Sequence, residues 1–195
     1  MNKMFQPLST EAQWHSLLNE AQTRSHQHLS EMLEHYLVML LMRFTHRAES
    51  LCKAVAPNYL QAMSAEGQKR PRGLRDVGDT CLLLSGLFPG RTQALAVNTD
   101  YYIGLGQSAY GEAANHLDTD DHPLFLTLAQ SFIKAMDVLM AIRLINHDEA
   151  VLPDPLSAYE LKQAHNSESA KAALHQYFDD PDSVIINLQQ PSSLH

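Results

Sequence analysis

The sequence predicts an all-α protein, a single-domain bundle of five to seven mostly antiparallel helices. Three observations carry that prediction. Apolar residues recur three and four apart through most of the 195-residue chain. No stretch has the alternating, β-branched character of a half-buried strand. Proline, glycine and capping residues interrupt the apolar segments with short connections, which makes sequential helices antiparallel neighbours. The bundle domain is expected over 1–178, followed by a C-terminal tail, 179–195.

The elements follow in order. Ser9 is placed to cap a first helix whose body runs from Ala12 to Ala21. A long second helix is expected from about Ser25 to about Ala54, resuming through Tyr59 to Met63 after Pro57. Its core stripe is Leu29, Leu33, Tyr36, Leu37, Leu40, Phe44 and Leu51. GQKRPRG at 67–73 reads as a loop, and a third helix takes Leu74 to Phe88 before Pro89 and Gly90 stop it. Asn98, Thr99 and Asp100 offer caps for a fourth helix, Tyr101 to about Leu117. Pro123 lies just inside a fifth helix. There Phe125, Leu128, Phe132, Ala135, Leu139 and Ile142 form a seam suited to packing on another helix. PDP at 153–155 breaks the chain, and a sixth helix is expected from about Leu156 to Phe178. The tail holds one short apolar piece, Val184 to Leu188, that reads as extended.

Composition narrows the function classes. Hydrophobic residues make up 45% of the chain, enough for a folded core without staples. A formal net charge of −8 argues against a broad basic surface, so nucleic acid is not an expected partner. The longest uninterrupted apolar run, Tyr36 to Met42, is far shorter than the roughly 20 residues of a membrane helix. The opening MNKMFQPLSTEAQWH lacks the apolar segment of a signal peptide. No membrane association and a cytoplasmic location are the expectations. Cys52 and Cys81 form no CxxC pair and read as small buried hydrophobes in a reducing compartment.

The most conspicuous constellation is HQHLSEMLEHYLVMLLMRFTHRAE, residues 26–49. Wound into a helix, it aligns His28, Glu31, His35, Met39, Met42, His46 and Glu49 on one stripe. His35 and His46 would sit roughly 16 Å apart along the axis, too far to share one ion. Each half would need ligands from elsewhere, from a reservoir of Glu112, His116, Asp118, Asp120, Asp121 and His122. The chain has no Glu-x-x-His pair and no HExxH. Val38, Met39 and Met42 also make the middle of the segment apolar nearly all round. The stripe therefore reads as a partly wet face with a covered middle, or as a subunit interface through Met39 and Met42, rather than as a metal site. No cofactor is predicted.

Two further segments are rich in small residues. In GLRDVGDTCLLLSGLFPG, Arg75 and Asp79 are spaced to pair along an exposed side, and Gly78 and Gly86 invite close helix packing. In DYYIGLGQSAYGEAANH, Tyr102, Gly106, Ala109 and Ala113 make one small-residue stripe. Tyr101, Gly104 and Ser108 lie on the far side and offer a second interface. Close packing is the first reading of both. The other is a ligand pocket between the third and fourth predicted helices, with Arg75, Asp79, Tyr102, Gly106 and Tyr110 around it. A haem-type pocket would take its proximal histidine from His15, His26 or His28. The basic run before the third predicted helix, Lys69, Arg70, Arg72 and Arg75, reads as a solvated loop or, alternatively, an anion site at a helix N-terminus. No GxSxG elbow, P-loop or strand-borne GxGxxG occurs, and no catalytic residue is assigned.

RDVGDTCLLLSGLFPG followed by YYIGLGQSAYGEAA resembles paired blocks in a family of bacterial helical proteins with no established activity. The resemblance spans roughly residues 72–115, with looser similarity over 36–52. It implies a bacterial cytoplasmic protein and transfers no catalytic residue. The leading expectation is a non-enzymatic, self-associating protein, a homodimer acting through protein partners as an adaptor or regulator. The alternative is a helical enzyme or sensor binding a small ligand, haem or a metal.

Overall fold

The computed structural model describes residues 9–45, 55–88, 98–117, 121–146 and 153–178. Among them are nine α-helices and no strand. They are α1 (Thr10–Ser25), α2 (Glu31–Thr45), α3 (Val55–Met63), α4 (Lys69–Leu87), α5 (Thr99–Asn115), α6 (His122–Gln130), α7 (Phe132–Asn146), α8 (Pro155–His165) and α9 (Glu168–Tyr177). The all-α class agrees with the sequence; the count of five to seven does not, because the expected fifth and sixth helices are each divided in two. The tail over 179–195 lies outside the described residues, as do His46, Glu49, Cys52, Asp118 and Asp120.

Two expected helices are divided and one starts late, each for a local or packing cause. The expected helix over 25–54 does not start at Ser25, because α1 runs through it and closes on His26. That residue is left-handed (φ 52°), and its N–H turns back to the carbonyls of Gln22 and Thr23. α2 then begins afresh, with the Ser30 hydroxyl accepting from Leu33 N at 3.4 Å. The expected sixth helix divides at Asn166, also left-handed, and Ser167 caps α9 by accepting from Ala170 N at 3.1 Å. The fifth divides at Ser131, where α6 and α7 bend by 72°. No glycine or proline marks that bend. Phe125 packs on Tyr36 and Tyr110, while Phe132 packs on Tyr110 from beyond the bend, so tertiary contacts divide the seam.

α4 departs from expectation in the opposite sense. It starts at Lys69 and takes in residues 69–73 of the segment that reads as a loop, leaving Gly67 and Gln68 as the turn before it. Pro71 is tolerated because the first-turn N–H groups have no intrahelical partner. Gly73 is needed because a Cβ there would lie 2.9 Å from Ala62 Cβ, where α3 crosses.

The chain forms two compact units, Met1–Ala150 and Val151–His195. In the first, α4 is central and packs on α3, α5 and α7, while α1 packs on α2 and α7. Leu74, Leu82, Leu84, Ile103, Phe132 and Met136 are among its fully buried side chains. In the second, α8 and α9 close over Ala158, Ala173 and Leu174, flanked by Tyr159 and Phe178. No single described helix is long and apolar enough to cross a membrane. α7 is largely apolar, and its residues 135–142 are all buried, Asp137 among them.

Candidate functional site

Asp79 on α4 is the polar centre of the first unit. Its carboxyl is buried, yet it receives three donors from two other helices. Tyr36 Oη of α2 donates to Oδ1 at 2.5 Å, and Tyr110 Oη of α5 donates to the same oxygen at 2.8 Å. Arg43 Nη2 of α2 donates to Oδ2 at 2.9 Å. Tyr36 and Arg43 are seven residues apart, two turns along one face, and so reach the same carboxyl.

The electrostatics follow from unequal burial. Burial pushes the Asp79 carboxyl above the ordinary carboxylate range, against the opposing pull of Tyr36, Arg43, Tyr110 and Arg75. Arg43 keeps 41% of its side chain exposed, so its smaller burial penalty is outweighed by Asp79 and Tyr36 and its affinity for the proton rises. Tyr36 and Tyr110 are held well above the usual phenol value, by burial first and the Asp79 charge second. Both therefore remain donors.

A cavity of about 540 Å³ opens beside this carboxyl between α2, α3 and α4. One part of its wall is apolar, with Leu40, Phe44, Val55, Val77 and Leu83; another is polar, with Arg43, Asn58, Gln61, Lys69 and Thr80. Asp76 and Asp79 also face it. A cavity of this size and mixed lining suits a small molecule with an apolar body and a polar end.

Other expected site residues are placed differently. Asp79 is buried rather than paired with Arg75, whose Nη2 bonds Asp76 Oδ1 at 3.2 Å instead. Around Gly106 the contact between α4 and α5 is solid. A Cβ there would meet the Phe132 ring at 2.5 Å and Cys81 Cβ at 2.8 Å, and one on Gly78 would meet the Tyr110 ring at 2.6 Å. Tyr102 is buried on this packed side, its phenol raised by burial and then by Cys81 and Tyr101. Burial pushes the Cys81 thiol up to about 12, far from a reactive thiolate.

Tyr101, Gly104 and Ser108 lie together on the exposed side of α5, and Met39 is exposed on α2 while Met42 is half-buried. Lys69, Arg70, Arg72 and Arg75 occupy the first two turns of α4. Among the described residues, the buried Nε atoms of Arg70 and Arg75 have no hydrogen-bond partner. His28 and Glu31 are exposed, and His116 faces Glu112 of its own helix at 3.8 Å. His35 is the one histidine of the stripe drawn into a cluster among the described residues, with Glu11 and His15 of α1.

Arg43, Glu11 and the role of Tyr36 in binding Asp79 are absent from the sequence reading. The seven-residue spacing of Tyr36 and Arg43, and the four-residue spacing of Glu11 and His15, were the available signals. Neither identifies its partner. No family model, curated protein or solved structure matches the chain, so the block resemblance rests on those residues alone.

Proposed function

We propose that this protein binds a small organic anion with an apolar body in the cavity between α2, α3 and α4, acting as a sensor or carrier. The observation that carries the reading is the 540 Å³ cavity flanked by the Arg43–Asp79 pair. Arg43 and Lys69 would take the acidic end of the ligand, with Asn58 and Gln61 as hydrogen-bonding partners. Leu40, Phe44, Val55 and Leu83 would cover its apolar part. A binding role is favoured over catalysis because both Asp79 oxygens already accept donors and are committed to joining helices.

Thermal melts of the full chain with a panel of aliphatic and aromatic carboxylates test this. A ligand at a hundred times its Kd stabilises the folded state by about 2.7 kcal/mol, a rise of several degrees. Ala65→Trp, which puts an indole into the cavity, should abolish the rise. A panel without effect, or equal shifts in the filled variant, would remove the reading.

Self-association is the second reading, acting through protein partners as a homodimer. Met32 and Met39, seven residues apart on α2, are 40% and 42% exposed, a pattern that suits a docking stripe. Changing Met39 and Met42 together to Lys should reduce the native mass to that of one chain; an unchanged mass would sink it.

A further inference from the structure

We propose a second, independent site: Glu11, His15 and His35 bind one divalent transition metal of the zinc class, joining α1 to α2. Glu11 and His15 are four residues apart and share a face of α1. His35 comes from α2, and one potential ligand atom from each residue lies within 4.8 Å of those of the other two. Tetrahedral zinc, with bonds of about 2.0–2.1 Å, needs its ligand atoms roughly 3.4 Å apart. Side-chain rotations close that difference. Glu11 and His35 are exposed and His15 is half-buried, so little packing opposes those rotations, and a fourth position remains for water.

The backbone beneath the cluster is already fixed. Ser9 caps α1 at Ala12, next to Glu11. Leu18, one turn past His15, is buried. Gln22 ties the hairpin by accepting from Leu29 N at 2.8 Å and donating to Glu34 Oε1 at 2.9 Å, beside His35. With the backbone fixed, only the three side chains have to order on binding. Two imidazoles and one carboxylate match zinc, nickel or copper, whereas calcium and magnesium take oxygen donors. Spacing along one helix cannot reveal such a site, since two ligands come from α1 and the third from α2.

Native mass spectrometry and calorimetric titration of the full chain with zinc chloride, after chelator treatment, test the proposal. The wild type should take up one zinc ion with a raised thermal midpoint, reversed by chelator. His35→Ala should weaken uptake at least tenfold while keeping the helical circular dichroism of the wild type. His116→Ala, which removes a histidine that faces Glu112 at the C-cap of α5 and lies outside the cluster, should bind as the wild type does. No uptake by the wild type, or equal uptake by His35→Ala, would overturn it, the latter assigning zinc to other surface histidines. Retained uptake in Ala65→Trp keeps this result separate from the cavity reading.

Discussion

Replacing Asp79 by alanine would deprive three donors of one shared acceptor. Arg43 is exposed enough to rehydrate, so most of the cost falls on the tyrosines, above all Tyr110, whose side chain has no exposure. A buried hydroxyl left unpaired costs about 1–3 kcal/mol. Asp79→Ala should therefore lose roughly 3 kcal/mol in urea denaturation, and a loss under about 1 kcal/mol would mean the network is idle. The same tyrosines predict a response to alkali. The folded protein holds their protons well above 10.0, the value near which the unfolded chain releases them. Above that pH the unfolded state binds fewer protons, so stability declines as pH rises toward the folded values. Denaturation curves from about pH 9 to about pH 11 should show the decline, and Tyr110→Phe should reduce its slope. An unaltered slope would exclude Tyr110 as a source.

Within α5, three glycines sit in different surroundings. A Cβ at Gly106 would strike Phe132 and Cys81, whereas one at Gly104 or Gly111 meets nothing within 4 Å among the described residues. Gly106→Ala should cost about 1–3 kcal/mol by overpacking. Gly104→Ala should gain up to about 1 kcal/mol from helix propensity. Thermal melts of the two variants should move in opposite directions; a common direction would contradict the packing described for this helix. The glycines look alike in sequence, and only the neighbour across the helix separates them. Caps are different. Ser9, Asn98 and Ser167 each accept from an N–H within three residues, so a short window of sequence contains both partners. The bend at Ser131 has no such local marker and follows from Phe125 and Phe132 wrapping the same tyrosine.

At the scale of the molecule, contacts divide between Ala150 and Val151. A chain ending at Ala150 keeps every helix that contributes to the Asp79 network and should unfold cooperatively in a single transition by circular dichroism. Loss of a cooperative transition would show that the first unit depends on the second. The cavity belongs to this scale too, since α2, α3 and α4 each supply part of its wall. The Asp79 site is half legible: the sequence offers Asp79 and Tyr110 as pocket residues, but its spacing pairs Asp79 with Arg75 in place of Tyr36 and Arg43. Tyr36 lies 43 positions away and Tyr110 lies 31, distances at which sequence spacing carries no geometry. The sequence by itself determined the helical class, the caps at Ser9 and Asn98 and the burial of Cys81, because periodicity and capping act over one or two turns. Only the tertiary structure decided which polar residues meet, where the cavity opens and which glycines are indispensable, because those depend on helices brought together from distant parts of the chain.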